Sequence, residues 1–424
     1  MGSDPARFVA EEASRNGGIC SFHILGRRFV GISTGEYARH VLVTRADRYR
    51  RSYHYENPVI GDGLLSTDGD YWQKRRRQAS PAFRTPLLER IVPMVREETE
   101  RLFLRWDEHA AAGEPVSIVR EMQGLALSVS GHALFSRSID PERSALFAAE
   151  LRDSLRLLRI RNTSLLRLPI GVPLPLHRRV LRSRDTLDDF VRPIIAERRG
   201  APLAETDLLD AVLAMRDPET GDALSDSEAL DETKTLFAAG FETAATALAW
   251  TLHLVGRHPE VGTRWREELD RELGGAHPAW GDLPRLRYTS NLINESMRVY
   301  PPVYTIAREC VVEDTIGGYR IPVGDVVMIS ILGVHHDPLA WPAPAEFRPE
   351  RFSGDWPRKS FLPFGMGQHL CIGNNVALTE LSVALAMIAQ RFDFEPCDVE
   401  PVEALPQVTL VPGREIRFHL RRRP

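Results

Sequence analysis

The stretch Phe364-Gly365-Met366-Gly367-Gln368-His369-Leu370-Cys371-Ile372-Gly373 sets one cysteine in a glycine-punctuated loop just ahead of an apolar helical pattern. Glycine adopts backbone angles closed to other residues and lets a loop approach a flat ligand closely. A helix N-terminus presents unpaired amides and the positive end of the helix dipole, which lower the pKa of a thiol beside it. The stretch therefore prepares Cys371 as a metal-ligating thiolate. Cys20, Cys310 and Cys397 stand far apart, with no Cys-x-x-Cys or Cys/His spacing, so neither a zinc site nor a disulfide framework has support. They are expected to be inert thiols in a reduced, unexported, cytoplasmic chain with no charged-apolar-small leader.

The bulk properties narrow the class. The 424 residues are 43% apolar and 26% charged, ordinary for a soluble globular enzyme. No uncharged apolar run reaches the roughly eighteen residues of a membrane span. With 54 basic and 58 acidic residues the net charge is -4, which lacks the basic surplus of a nucleic-acid binder. Short apolar runs at 23–25 and 29–32 flank Gly26-Arg27-Arg28 and predict a hairpin. From Asp70 to about Arg199 the spacing is helical, broken near Pro169, Pro173 and Pro175, where a lid is expected. A long helix is predicted over 226–257, capped by Ser225 or Asp226 and closed at His258-Pro259. Another runs from about Tyr288 to Val299 and stops at Pro301-Pro302. Strands follow at 319–321 and 326–330 around Pro322-Val323-Gly324-Asp325, and a last helix covers Asn374 to about Gln390. No repeat, linker or second boundary interrupts the chain. The prediction is one domain over 1–424, mainly α with small β-sheets, β-rich around 19–33 and 303–332 and helical in the remainder.

Three further constellations carry chemistry. Ala239-Gly240-Phe241-Glu242-Thr243 puts an acid beside a hydroxyl in an apolar helix, where polar groups are costly to bury unpaired. A helical threonine can bond back to the carbonyl one turn earlier and open the helix, while Gly240 removes bulk, leaving a pocket with room for dioxygen. Trp72 and Arg76 are four residues apart on a helix that also carries Lys74, Arg75 and Arg77. Glu295 and Arg298 share a helix face, but so do Glu12/Arg15, Glu36/Arg39, Glu98/Arg101 and Glu268/Arg271, which are expected to be solvated pairs. Position singles out the first pair, since it precedes Tyr300-Pro301-Pro302 and is followed by Phe347-Arg348-Pro349-Glu350-Arg351-Phe352.

The window Phe-x-x-Gly-x-His-x-Cys-x-Gly resembles the haem-binding loop of the cytochrome P-450 family, and Ala-Gly-x-Glu-Thr is similar to its oxygen-activation motif. The resemblance covers nearly the whole chain, from Trp72 to the closing helix, with the motifs in family order. It implies a single-domain cytochrome P-450 fold, with haem between the long oxygen-binding helix and the helix after the cysteine loop. Cys371 would be the axial ligand of haem b (iron protoporphyrin IX), in a loop with Phe364, Gly365, His369 and Gly373. Ala239 and Gly240 would lie against the cofactor, and Glu242 and Thr243 would relay protons during oxygen activation. Trp72, Arg76, Arg308 and His369 would hold the propionates, a task suited to guanidinium and indole donors. Many family members carry arginine where His369 stands. Glu295, Arg298 and Arg351 would form a buried structural network without chemical duty.

The resemblance also implies a pocket wall of Phe237, Ala239, Val303, Tyr304, Thr305, Ile306, Val408, Thr409 and Leu410. Such a wall suits an apolar small molecule: a terpenoid, fatty acyl chain or polyketide of secondary metabolism. The implied reaction inserts one atom of dioxygen into that substrate and yields water. No segment resembles a flavin or nicotinamide fold, so the electrons would come from a separate ferredoxin- or flavodoxin-type donor, docking on Lys74, Arg75 and Arg77. The Trp-x-x-x-Arg helix, the long stretch between Thr243 and Glu295 and the Pro-Glu-Arg-Phe segment look like the subgroup shared by eukaryotic and some bacterial oxidases, here as a soluble bacterial member. Two alternatives stand beside this reading. A haem-based gas sensor without turnover would have no use for Glu242 and Thr243. A haem-thiolate peroxygenase or isomerase would need no redox partner, and the intact oxygen-activation residues weaken it.

Overall fold

The computed structural model describes residues 5–24, 26–52, 58–136, 168–200, 207–217, 219–398 and 400–423, together with 146, 147, 149–151, 153, 154 and 157. Helix α1 (Pro5–Arg15) leads into the hairpin β1 (Ile19–Ile24) and β2 (Arg27–Ile32), then α2 (Gly35–Arg39), a π-helical turn at His40–Thr44 and β3 (Tyr49–Arg51). Next come α3 (Gly69–Ala79), α4 (Thr85–Ala112), β4 (Val116–Ser117), α5 (Ile118–Phe135), α6 (Pro175–Gly200), α7 (Leu208–Ala214), α8 (Asp226–Arg257), α9 (Pro259–Leu273) and α10 (Arg287–Val299). Strands β5 (Thr305–Cys310), β6 (Asp314–Ile316), β7 (Tyr319–Ile321) and β8 (Val326–Ser330) follow, then α11 (Ile331–His335) and α12 (Asn374–Arg391). The chain closes with β9 (Phe392–Pro396), β10 (Ala404–Pro406), β11 (Leu410–Pro412) and β12 (Arg417–Arg422).

The helix limits have local causes. Ser225 Oγ accepts from Glu228 N at 3.2 Å while the Glu228 carboxylate accepts from Ser225 N at 2.9 Å, a reciprocal cap that starts α8. Pro259 opens α9 and Gly274, at φ +54°, ends it in the left-handed conformation. These signals lie in the sequence, and α8, α10, α12, β7 and β8 fall where the sequence predicts them.

The chain divides into two compact units, residues 1–52, 89–125 and 243–424 in one, 53–88 and 126–242 in the other. The first holds every strand described above. Its main sheet runs β1-β2-β8-β5-β3, with β2 and β8 parallel, and a second runs β4-β12-β9. Ile19, Val30, Ile32, Leu42, Val327, Ile329 and Leu362 share the core behind the main sheet. The second unit packs Phe135, Phe147, Phe190, Phe237 and Phe241 into a ring cluster, with centroids 4.6 to 6.3 Å apart.

Two expectations change. The expected turn 26–28 shortens, because Arg27 pairs with Ile24 and Arg28 with His23: both arginines are strand residues, held by ion pairs to Glu309 and Asp325 at 3.3 Å each. Leu25 itself is outside the described residues. The remainder is not all helical, because 392–422 carries four strands. In β12, Phe418 and Leu420 point inward and Arg417, His419 and Arg421 outward, a period of two. Of the expected lid, 158–167 lie outside the described residues; Val172 N bonds Pro169 O at 3.0 Å, and α6 begins at Pro175.

Candidate active site

The cysteine loop is built by two left-handed glycines, Gly365 at φ +74° and Gly367 at φ +73°. At Gly367 a Cβ would stand 2.0 Å from the carbonyl oxygen of Leu42, so only glycine takes this seat. A 3-10 turn over Gly367–His369 closes with Leu370 N donating to Gly367 O at 3.1 Å, and Cys371 N donates to Phe364 O at 3.0 Å. Gly373 precedes the first residue of α12. The loop thus spends its own amides on itself and presents Cys371 and Leu370 exposed. Phe364, Gly365, His369 and Gly373 are half-buried around them.

The other cysteines behave differently. Cys310 is fully buried in β5, its thiol directed at Val312 O at 3.1 Å and Ile321 O at 3.4 Å. Burial pushes the Cys20, Cys310 and Cys397 thiols above their ordinary pKa, which disfavours the thiolate, and no cysteine is bridged. In the same unit Arg308 is buried on β5, with one guanidinium nitrogen 2.9 Å from Ala307 O.

Helix α8 is continuous through Ala239–Thr243, so the expected opening of the helix at Thr243 does not occur. Space comes instead from side-chain size: Ala239 and Gly240 are exposed in mid-helix, between the buried Phe237 and Phe241, and Glu242 and Thr243 are half-buried. A Cβ on Gly240 would come 3.2 Å from Ser130 Oγ of α5, which keeps this position small. Phe237 is 1% exposed and occupied by the aromatic cluster, which makes it a core residue in place of the expected pocket wall.

One turn past Thr243, Thr246 Oγ1 lies 3.1 Å from Thr409 Oγ1, and Trp250 Nε1 donates to Leu410 O at 2.6 Å. Trp250 also stacks on Tyr300 at 3.8 Å. Leu410 N donates to Pro302 O and Tyr304 OH to Gln407 O, both at 2.9 Å. Of the expected wall, Tyr304 is therefore tied to the hairpin bearing Val408 and Thr409, as is the neighbouring Pro302, while Thr305 and Ile306 pair with β8. Val408 is exposed and Thr409 buried. Sequence reasoning missed Thr246, although the Thr-x-x-Thr spacing from Thr243 places both hydroxyls on one helix side.

On α3, Trp72 is buried and Arg76 half-buried, with the i, i+4 relation expected. The expected basic face is not exposed throughout. Arg75 is 4% exposed, pairs with Glu228 and bonds Tyr71 OH at 3.0 Å, while Lys74 pairs with Asp217. Arg75 is thereby taken out of the expected docking surface, while Arg77 is exposed and the Lys74 side chain is 39% exposed beside Asp217.

Glu295, Arg298 and Arg351 come together. The Glu295 carboxylate accepts from Arg298 at 2.7 and 2.8 Å, from Arg351 Nε at 3.2 Å and from Arg348 N at 2.9 Å. Arg298 also donates to His335 O, Pro344 O and Glu346 O at 3.0, 2.8 and 3.0 Å. Two supposedly solvated pairs are not solvated. Glu98 is buried against Arg101, and Glu268 is buried and accepts from the Tyr288 and Thr289 amides at 2.5 and 2.8 Å, capping α10 and leaving Arg271 to Glu272.

This donor set fits a haem. The soft sulfur of Cys371 is exposed in a loop that glycine lets approach a flat ligand, and Arg308 is a buried guanidinium of the kind that binds a carboxylate. A family model described as Cytochrome P450 matches residues 2–417. Among the relatives, Cyclooctat-9-en-7-ol 5-monooxygenase of Streptomyces melanosporofaciens is 35% identical over 80% of this chain and 74% of its own length. Cyclooctatin synthase of the same organism is 32% identical over 84% and 78%. Putative cytochrome P450 132 of Mycobacterium tuberculosis is 32% identical over 96% and 91%. The chain belongs to the cytochrome P450 family and is a P450 monooxygenase, a class that uses a haem-thiolate cofactor, dioxygen and a redox partner. Among the described residues no helix is long and apolar enough to cross a membrane.

Proposed function

We propose that this monooxygenase hydroxylates an apolar, terpenoid-like small molecule in the cytoplasm, with haem b held by Cys371 and electrons from a separate ferredoxin- or flavodoxin-type protein. The observation that carries the cofactor assignment is the exposed Cys371, set by Gly365 and Gly367 just before α12 while the other thiols are held in their neutral form. The substrate class draws on the relative whose name denotes oxidation at position 5 of an unsaturated alcohol, cyclooctat-9-en-7-ol. It also draws on the apolar Val303, Ile306 and Val408, which offer no charge to a polar head group.

When bound, the haem supplies the redox chemistry that activates dioxygen. Arg308, Arg76, Trp72 and His369 would hold its propionates through charge-assisted and indole hydrogen bonds. Glu242 and Thr243 move protons toward the reacting oxygen, the carboxyl as acid and base and the hydroxyl as donor. The side chains at 303–306 and 408–410 orient the substrate and exclude water, and the whole chain acts as one catalytic domain.

The test is product formation from cyclooctat-9-en-7-ol and related terpenoid alcohols with a surrogate ferredoxin and its reductase. Wild type should yield hydroxylated product, and Thr243→Ala should consume nicotinamide while releasing hydrogen peroxide in place of product. An unchanged ratio of product to nicotinamide in Thr243→Ala removes this threonine from proton delivery. Oxidation of fatty acids alone removes the terpenoid assignment.

A further inference from the structure

The segment from Gly35 to Thr44 meets the approach to the cysteine loop at two glycines, one on each partner. A Cβ on Gly35, the first residue of α2, would lie 2.5 Å from Lys359 O and from Ser360 Oγ. A Cβ on Gly367 would lie 2.0 Å from Leu42 O and 3.4 Å from Val43 Cγ2. Backbone therefore rests on backbone at both ends, closer than any side chain permits. Between the two seats the helix widens into the π-turn His40–Thr44, closed by Arg45 N donating to His40 O at 2.8 Å. Such turns are rare and cluster at functional sites.

Asp314 of β6 holds this turn. His40 Nε2 lies 2.8 Å from Asp314 Oδ2, Tyr49 OH donates to the same oxygen at 2.9 Å, and Arg48 Nη1 stands 3.6 Å from Oδ1. Burial works to raise the Asp314 pKa, but hydrogen bonds from His40, the Thr315 backbone and Tyr49 outweigh it and hold the carboxyl below its ordinary range. The anchor is thus a charged acceptor. Behind it Ala38, Val41, Leu42 and Leu362 pack in one core, with Met366 against them. A displacement of the turn reaches Gly367 first. Gly367 O accepts from Leu370 N and Phe364 O from Cys371 N, so the loop passes any shift to the thiol within one 3-10 turn.

We propose that His40 is a positioning residue for Cys371. Through its bond to Asp314 it sets the π-turn, whose Leu42 carbonyl fixes where Gly367 and hence the thiol sit. The inference rests on Cys371 being the haem ligand, as proposed above.

The test uses His40→Ala, His40→Gln, whose amide can still donate to Asp314, and Phe418→Leu in β12 as a stability control. Two readouts are taken. One is amide hydrogen exchange at Leu370 and Cys371. The other is the rate at which the reduced, carbon monoxide-bound protein loses its red-shifted thiolate band on mild warming. His40→Ala should speed exchange at both amides about tenfold and speed loss of the band, in line with losing one charge-assisted hydrogen bond. His40→Gln should restore most of both, and Phe418→Leu should move neither. The inference is overturned if His40→Ala raises exchange only within 40–45, or if Phe418→Leu affects Cys371 equally. Should His40→Ala not fold, Tyr49→Phe removes one bond to Asp314 and should shift both readouts in the same direction by less; no shift there also overturns it. A wild-type protein without the red-shifted band refutes the ligand reading, and the exchange readout then judges the positioning claim by itself.

Discussion

Glu295 and Glu232 are both buried glutamates on long helices, one in each compact unit, and they are treated in opposite ways. Glu295, in the first unit, accepts hydrogen bonds from Arg298, Arg351 and the Arg348 amide on both carboxylate oxygens. Glu232, in the second, accepts one long bond from Leu64 N at 3.3 Å, and its Oε1 has no partner among the described residues. Burial raises the Glu232 pKa to about 7, the Leu64 amide and Arg75 opposing it only in part and Asp231 adding to it. One carboxylate organises the polypeptide ahead of the cysteine loop. The other is a carboxyl whose charge is only partly compensated, and its replacement should relieve the fold where it ionises.

The largest effect should come from Glu295→Gln. It takes the carboxylate from buried Arg298, which keeps only the His335, Pro344 and Glu346 carbonyls as ordinary acceptors, a loss of about 3–5 kcal/mol. Chemical denaturation of the purified variant, or its failure to accumulate as folded protein, measures this, and a loss below about 1 kcal/mol would break the contrast.

Glu232→Gln should act in the other direction. A carboxyl whose pKa rises from 4.5 to about 7 on folding contributes no penalty below pH 4.5. The penalty grows as pH climbs through that window and is complete above pH 7, at about 3 kcal/mol. The variant should match wild type near pH 4, gain on it slightly by pH 5 and exceed its Tm clearly at pH 8. A variant less stable at pH 8 than at pH 5, relative to wild type, would contradict this sign.

Arg75→Ala removes a buried cation that holds Glu228 and favours ionised Glu232, at a cost of about 1.5–3 kcal/mol. Arg77→Ala, a few residues on and exposed, should be nearly neutral. Equal losses in the two variants would return Arg75 to the surface. The smallest effect belongs to Arg15→Ala, which breaks the exposed pair with Glu12 and should cost under about 1 kcal/mol in the same denaturation assay.

What could be read from the sequence follows from where the determining partners lie. The limits of α8 are local: Ser225 and Glu228 start it and His258-Pro259 stops it. The turn Pro322–Asp325 sets β7 and β8 in the same way. The cysteine loop was legible because three glycines and one thiol within ten residues state its geometry. The fate of Arg75 was not, since its partner Glu228 is far along the chain and nothing local separates a paired arginine from a solvated one. Glu268 misled for the same reason: its spacing to Arg271 suggests a pair, while the Tyr288 and Thr289 amides are its partners. The C-terminal strands hid because three of them span only three to five residues, too few to show a period. Phe237 was expected in the wall from the family resemblance, and the ring cluster of the second unit shows it packed among Phe135, Phe147, Phe190 and Phe241.

The central claim is that Cys371 is the haem ligand, and the carbon monoxide spectrum of the reduced, haem-loaded protein tests it most directly. Wild type should show a Soret band far to the red of a histidine-ligated carbonyl. That band should vanish in Cys371→Ser and persist in Cys20→Ser, Cys310→Ser and Cys397→Ser. A histidine-type spectrum in wild type, or a red-shifted band that survives Cys371→Ser, would contradict the assignment.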